Sequence, residues 1–295
     1  MKRKNASDFD PRILELYDGY VHGKMTKRAF LTGAAQYTAA GISAAAVLQS
    51  LQPNYALAQQ VAPDDPEIET MTAEYQSPEG HGTISGLMAK PAGATGKLPA
   101  VLVIHENRGL NPYIEDVVRR TAKAGYLAFG PDSLSPLGGY PGNDDEGRTM
   151  QRSMDRAKLM ADFFAAFEFL VDHEGSTGKV GAVGFCYGGG VCNALAVAYP
   201  NMGASVPFYG RQPSAEDVPS IEAPLLIHYG ELDERINSGW PAYEAALKAN
   251  GKAYETHIYA GANHGFHNDT TPRFDKDAAQ LAWDRTLKHF ETHLA

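Results

Sequence analysis

A short apolar run, Val180 to Val183, leads directly into Gly184-Phe185-Cys186-Tyr187-Gly188-Gly189. No other stretch of the chain restricts the fold as tightly. The pattern is that of a nucleophile elbow with cysteine where serine usually stands. A strand must end and a helix begin within one turn, which thrusts the middle residue outward on strained backbone. The flanking glycines let the chain fold over itself without Cβ clashes. A thiol so placed sits at a helix N-terminus, whose dipole favours the thiolate. Taken alone, the hexapeptide reads equally well as a buried cysteine in a Gly-rich turn, so its partners decide.

The surroundings of the elbow set the fold class. Glu69 to Tyr75 and Thr83 to Met88 alternate loosely about the turn Pro78-Glu79-Gly80 and read as an antiparallel hairpin at a sheet edge. Ala100 to Ile104 is continuously apolar, as a strand buried on both faces must be. Further strands are expected at Tyr126–Phe129, Val180–Val183, Ala204–Phe208, Leu225–Tyr229 and Tyr254–Tyr259. Helical spacing marks Tyr113–Ala124, Met150–Asp172, the small-residue stretch ending at Tyr199, Pro241–Ala249 and Asp277–His293. Residues Pro131 to Gly147 are dense in Gly, Pro, Ser and Asp and read as a long loop. Strand and helix alternate, which argues for a mostly parallel sheet with helices on both faces.

Composition excludes several functions. The formal net charge is −9, and residues 1–28 carry seven basic against four acidic side chains, so the remainder is more acidic still. Such a body does not attract nucleic acid or an anionic membrane surface. Two cysteines, Cys186 and Cys192, lie six positions apart in one turn-and-helix unit. They are poorly placed for a disulfide and match no metal-ligand spacing. Cys192 reads as a small core residue. There is no GxGxxG or Walker motif, so no cofactor is implied.

Residues 1–58 stand apart. No charged residue occurs from Ala29 to Pro63, basic residues precede this stretch at Thr26-Lys27-Arg28-Ala29-Phe30-Leu31, and Ala56-Leu57-Ala58 is a small-x-small cleavage pattern. The segment resembles a twin-arginine export signal, with Lys27-Arg28 in place of the arginine pair. That reading implies a periplasmic or exported protein with no stable membrane partner after signal removal. Two alternatives remain open. Ile13, Leu14, Leu16 and Tyr17 can form one face of a helix, which suits a retained arm on a cytoplasmic protein. Phe30 to Leu51 is long enough for an uncleaved anchor, though a weak one. Residues 59–67 then form a linker, and residues 68–295 the main domain.

In open parallel sheets function collects at the C-terminal ends of the strands. One such end runs into His105-Glu106-Asn107-Arg108-Gly109, a second into Gly230-Glu231-Leu232-Asp233-Glu234-Arg235, and a third into Gly261-Ala262-Asn263-His264-Gly265-Phe266. With Cys186 they give the chain order nucleophile, acid, base, the order of α/β-hydrolases. In these roles Cys186 attacks a carbonyl carbon, His264 takes the thiol proton, and Asp233 holds the imidazole tautomer. Glu231 and Glu234 compete as the acid and His267 as the base; His105 reads as a strand-end packing residue. The oxyanion hole falls to the backbone N–H groups of Tyr187 and Asn107.

Together the loop glutamate, the G-x-C-x-G-G elbow, and the Asp and His loops resemble the dienelactone hydrolase family of α/β-hydrolases over roughly residues 68–294. The resemblance implies an α/β-hydrolase fold, with a mostly parallel sheet, helices on both faces and an N-terminal antiparallel hairpin. It implies a small ester or lactone as substrate, cleaved through a thioester acyl-enzyme. In that family the first-loop glutamate contacts the nucleophile; Glu106 matches it, with a salt bridge to Arg108 as the plainer role. Family members hold the carboxylate of carboxymethylenebutenolide with arginines, one of them four residues after the catalytic histidine. Here Asn268 stands there, and Arg148 is the candidate in its stead, with Arg152 and Arg156 following. A different, less anionic ester or lactone follows from this. Tyr140, Tyr209, Trp240 and Phe266 are candidates to line an apolar acyl pocket. A binding protein on the same fold without turnover, or an acyltransferase using the same three residues, are the alternatives.

Overall fold

The computed structural model describes residues 4–38 and 41–295. Ala39 and Ala40, within the uncharged stretch, lie outside the described residues, as does the side chain of Leu57 in the small-x-small pattern.

Eight strands form one sheet: β1 (Ile68–Ser77), β2 (Gly82–Pro91), β3 (Leu98–Ile104), β4 (Leu127–Pro131), β5 (Ser176–Phe185), β6 (Ala204–Phe208), β7 (Leu225–Gly230) and β8 (Tyr254–Tyr259). Their order is β1-β2-β4-β3-β5-β6-β7-β8. The β1–β2 hairpin is antiparallel, with Ile68 opposite Pro91 and Ser77 opposite Gly82, and β2 joins β4 antiparallel. Every later pairing is parallel. The expected fold class is therefore the observed one.

Strand periodicity divides the core in two. Leu102, Ile104 and Ala182 face one layer with Phe163, Phe167, Val191 and Leu195. Val101, Val103 and Val183 face the other with Ile114, Val117, Ala282 and Phe290. Helices α6 (Arg156–Asp172), α7 (Tyr187–Ala198) and α9 (Trp240–Ala249) cover the first face, and α4 (Pro112–Lys123) and α10 (Lys276–Leu294) the second. Each buried Phe or Leu contributes about 1.5–3 kcal/mol by leaving water. Cys192, free and buried, belongs to this core as expected.

Two expectations need correction. The 131–147 segment is not all loop, because α5 (Asp144–Ser153) begins within it. Asn143 starts this helix by accepting from the N–H groups of Asp145 and Glu146, and three acidic residues fill its first turn, where the helix dipole favours them. Nor is Met150–Asp172 one helix. Met154 is extended, and Asp155 caps a new helix by accepting from Ala157 and Lys158.

Before the sheet, α1 (Pro11–Val21), α2 (Lys27–Ala34) and α3 (Ala44–Leu51) pack into a small core of their own. Ile13 and Tyr17 are buried there, as the helical spacing suggests. The connecting residues are docked on the body. Val61 N–H donates to Asp116 at 2.8 Å, and Val61 O accepts from Arg119 at 2.9 Å. Among the described residues no helix is long and apolar enough to cross a membrane.

Candidate active site

Cys186 stands between β5 and α7 with φ 57° and ψ −107°. A non-glycine residue in this region carries strain of about 1–3 kcal/mol, which its surroundings must hold. They do so through close packing. Cys186 N–H donates to Phe208 O at 3.1 Å. A Cβ on Gly189 would meet Phe208 O at 2.6 Å, and one on Gly188 would collide with Ile104 O. The elbow helix thus lies against β3 and β6 at a distance only glycine permits. Tyr187 opens α7, so its N–H has no partner within the helix.

Asp233 follows β7 and caps α8 (Glu234–Asn237), its Oδ1 accepting from Ile236 N–H at 3.3 Å. Its Oδ2 takes Nδ1 of His264 at 2.5 Å. An ionised carboxylate can only accept, so Nδ1 carries the proton, and in the neutral ring Nε2 keeps its lone pair. His264 Nε2 is buried and makes no hydrogen bond. Burial works against a charged His264 ring, but Asp233 and Cys186 outweigh it and raise its pKa above 6.5. Burial would raise Asp233, yet His264, through charge and hydrogen bond, holds it below 3.8. The competing acids are exposed, and Glu231 is spent on the N–H of Gly261 at 2.8 Å. His267 is buried with its Nδ1 on Tyr113 OH at 2.6 Å, and His105 packs edge-on against Phe163.

A ring nitrogen of His264, the sulfur of Cys186 and a ring nitrogen of His22 all lie within 4.8 Å of one another. No motif in the sequence marks His22. It follows α1, and its Nε2 stands 3.3 Å from Cys186 Sγ. Its Nδ1 points back to Asp18 O at 2.8 Å and Asp18 Oδ1 at 3.1 Å. Two arginines absent from the expected set complete the surroundings. Arg235 Nε donates to Asp18 Oδ2 at 3.2 Å, and its Nη2 lies 3.3 Å from His22 Nε2. The same Nη2 approaches His264 Nδ1 at 3.2 Å, a contact that is no hydrogen bond while that nitrogen carries a proton. Arg273 Nη1 lies 3.5 Å from Asp18 Oδ1, and its guanidinium adjoins Gly265. Burial pushes the Asp18 carboxyl up, but His22, His264 and Arg273 hold it well below the usual range.

Chemically, His22, Cys186 and His264 are ligands suited to a soft cation. The guanidinium of Arg235 against both rings opposes a second positive charge there.

The other expected residues divide. Glu106 is buried and bound to Arg108 at 3.1 Å and to Asn268 at 3.0 Å. The thiol's recorded partner is His22 and not Glu106, so the salt-bridge reading describes this conformation. Asn268 thus donates its side-chain amide to a carboxylate oxygen of Glu106. Asn107 spends its side-chain amide on Val21 O at 2.9 Å. Tyr209 is within reach, its ring centroid 4.9 Å from that of His264. Phe266 lies in the core against Tyr209, Tyr259 and Phe208. Trp240, the first residue of α9, packs among Tyr229, Tyr243 and Tyr254. Tyr140 bonds Asp144 at 2.8 Å, and Arg148 pairs with Asp145 and lies over Tyr20. The partners of these last three are packing neighbours or residues of α1 and α5.

A model of the dienelactone hydrolase family matches residues 84–294, and a YqhI-like family model matches residues 1–39. The chain is 60% identical over 114 residues to "Putative hydrolase fragment YghX" of Escherichia coli K12, covering 39% of this chain and 97% of that one. It is 34% identical over 221 residues to "Probable 2-oxo-3-(5-oxofuran-2-ylidene)propanoate lactonase" of a Bradyrhizobium species, covering 70% and 88%. A solved structure described as a putative dienelactone hydrolase, from Klebsiella pneumoniae, superposes with a TM-score of 0.66 at 26% identity, covering 76% of this chain and 99% of that one.

Proposed function

The chain belongs to the dienelactone hydrolase family, and from that premise we propose that it hydrolyses a small ester or lactone through Cys186, His264 and Asp233. One observation carries the reading. The strained elbow cysteine stands within 4.8 Å of a ring nitrogen of the histidine whose Nδ1 is fixed by Asp233.

The steps follow from the chemistry of the groups. His264 Nε2 accepts the thiol proton, and the sulfur attacks the carbonyl carbon. The oxyanion is received by the main-chain N–H groups of Tyr187 and Asn107. The carbon–oxygen bond to the leaving alkoxide breaks, His264 returns the proton to that oxygen, and a thioester remains on Cys186. Water, deprotonated by His264, attacks the thioester; the acid departs and the sulfur regains its proton. Asp233 stays ionised throughout and stabilises the imidazolium.

Arg235 and Arg273 extend the reading to the substrate. Both face the carboxylate of Asp18, which also meets the His22 ring that contacts the sulfur, and two nitrogens of the buried Arg273 make no hydrogen bond. A guanidinium pair in such a place suits a substrate bearing a carboxylate. The Bradyrhizobium relative is named for a lactone that is itself a carboxylate. On this reading the arginine lost at Asn268 is replaced from other positions.

The test is a panel of esters and lactones, with and without a carboxylate, on wild type, Cys186→Ala and Arg273→Gln. Turnover should vanish in Cys186→Ala. Arg273→Gln should raise KM for the carboxylate-bearing members about tenfold, the worth of one charge-assisted contact, and leave neutral esters nearly unchanged. Hydrolysis surviving in Cys186→Ala contradicts the mechanism, and an equal loss on both substrate sets contradicts the role of Arg273.

A further inference from the structure

We infer that the mouth of the Cys186 site is a docking surface for the chain's own N-terminal arm, and that α1 and His22 act there as a built-in competitive inhibitor. The inference rests on the hydrolase reading and adds its regulation.

The space beside a nucleophilic sulfur belongs to the substrate carbonyl, which must approach to about 3–3.5 Å. Here His22 Nε2 holds that distance, at 3.3 Å. Asp18, one helical turn earlier on the same face, puts its carboxylate between Arg235 and Arg273. Val21 O takes the side-chain amide of Asn107, from the loop assigned to the oxyanion hole, and also the guanidinium of Arg152. Arm groups thus occupy the places of an anionic substituent and of the reacting group at once. A substrate cannot share those positions, so the docked arm and the substrate exclude each other.

The arm is also built to leave. Its apolar side chains, including Ile13, Tyr17, Phe30 and Leu48, form a core separate from the two that clasp the sheet. What joins it to the active-site mouth is a polar seam of hydrogen bonds, ion pairs and the contacts of His264 with the His22 ring and of Arg273 with the Tyr17 ring, whose hydrogen bonds contribute about 0.5–1.5 kcal/mol each when water is the alternative partner. The seam between α2, α3 and the segment preceding α5 is imperfectly filled, with a cavity of about 520 Å³ lined by Leu31, Leu48, Tyr140 and Asp144 among others. Gly23, at φ 75°, turns the chain away directly after His22, and a Cβ there would meet the guanidinium of Arg152. Removal of the arm, or competition by an anionic ligand for Arg235 and Arg273, then uncovers the thiol.

The experiment uses the full chain as wild type, Asp18→Asn and His22→Ala. Two rates are read on each: alkylation of Cys186 by iodoacetamide, located by peptide mass, and kcat/KM for a small neutral aryl ester. Cys192 is fully buried and does not confuse the first. Loss of one such contact should raise both rates about tenfold through a larger open population. A fall in turnover on His22→Ala with its circular-dichroism spectrum and melting temperature unchanged overturns the inference and makes His22 a working part of the site. Unchanged alkylation and turnover in both variants also overturn it. Faster alkylation without ester turnover in any form supports the docked arm and instead removes the hydrolase reading. Asp18→Asn keeps the shape of the side chain, so a folding defect in His22→Ala leaves the test intact.

Discussion

His264 is held by influences of opposite sign. Burial favours its neutral ring, while Asp233 and Cys186 favour its cation strongly enough to lift it above the ordinary histidine value. A raised pKa places the acid limb of kcat/KM on the alkaline side of 6.5, since proton acceptance from the thiol needs the neutral ring. In Asp233→Asn the strongest support of the cation is gone while burial persists. That limb should therefore move to lower pH, and kcat should fall by about 10³–10⁴ as the tautomer is lost. A pH profile of the variant checks both, and a limb that stays in place or moves to higher pH contradicts the assignment. Cys186, Asp233 and His264 were legible because each lies at a strand end that the hydropathy pattern marks. His22 was not. It reaches Cys186 across 164 positions, and its sequence neighbours look like the approach to a signal segment. Arg235 and Arg273 escaped for a related reason: one stands two positions after the acid and the other nine positions beyond the histidine, where no motif draws attention.

At the scale of elements, the loop after β3 is fastened to α5 by buried charge. Arg108 bonds Asp144 at 2.6 Å and Glu106 at 3.1 Å, with all three side chains almost fully buried. Tyr55 and Tyr140 complete the shell around Asp144. Removing the cation leaves two carboxylates uncompensated, so Arg108→Ala should cost about 3–5 kcal/mol in urea unfolding at neutral pH. Burial raises Asp144 and Arg108 lowers it, with a lowered value as the outcome. Stability from that pairing is present above the unfolded carboxylate pKa and is lost as pH falls, so the gap between variant and wild type should narrow in acid. A loss below about 1 kcal/mol would show the pair to be dispensable. The sequence marked the glutamate and arginine of this loop but not the first part of α5, whose Asp144, Asp145 and Gly147 mimic a loop until Asn143 is seen capping it.

Across the whole molecule, the sheet brings together three loops and an arm that the chain keeps far apart. The mostly parallel sheet was legible because buried strands and covering helices alternate with little interruption after residue 98. The placement of the arm was not, since its seam with the active site is polar and leaves no periodic signal. The account depends on a covalent stage at the elbow sulfur, and that stage has a direct physical trace. Full-length protein turning over an activated acetate ester is quenched in acid, digested and weighed. An acetyl group on the peptide containing Cys186, rising and then decaying with ester consumption and absent from Cys186→Ala, is the result predicted. Hydrolysis of the ester with no acyl group ever found on Cys186, or undiminished in Cys186→Ala, would contradict it.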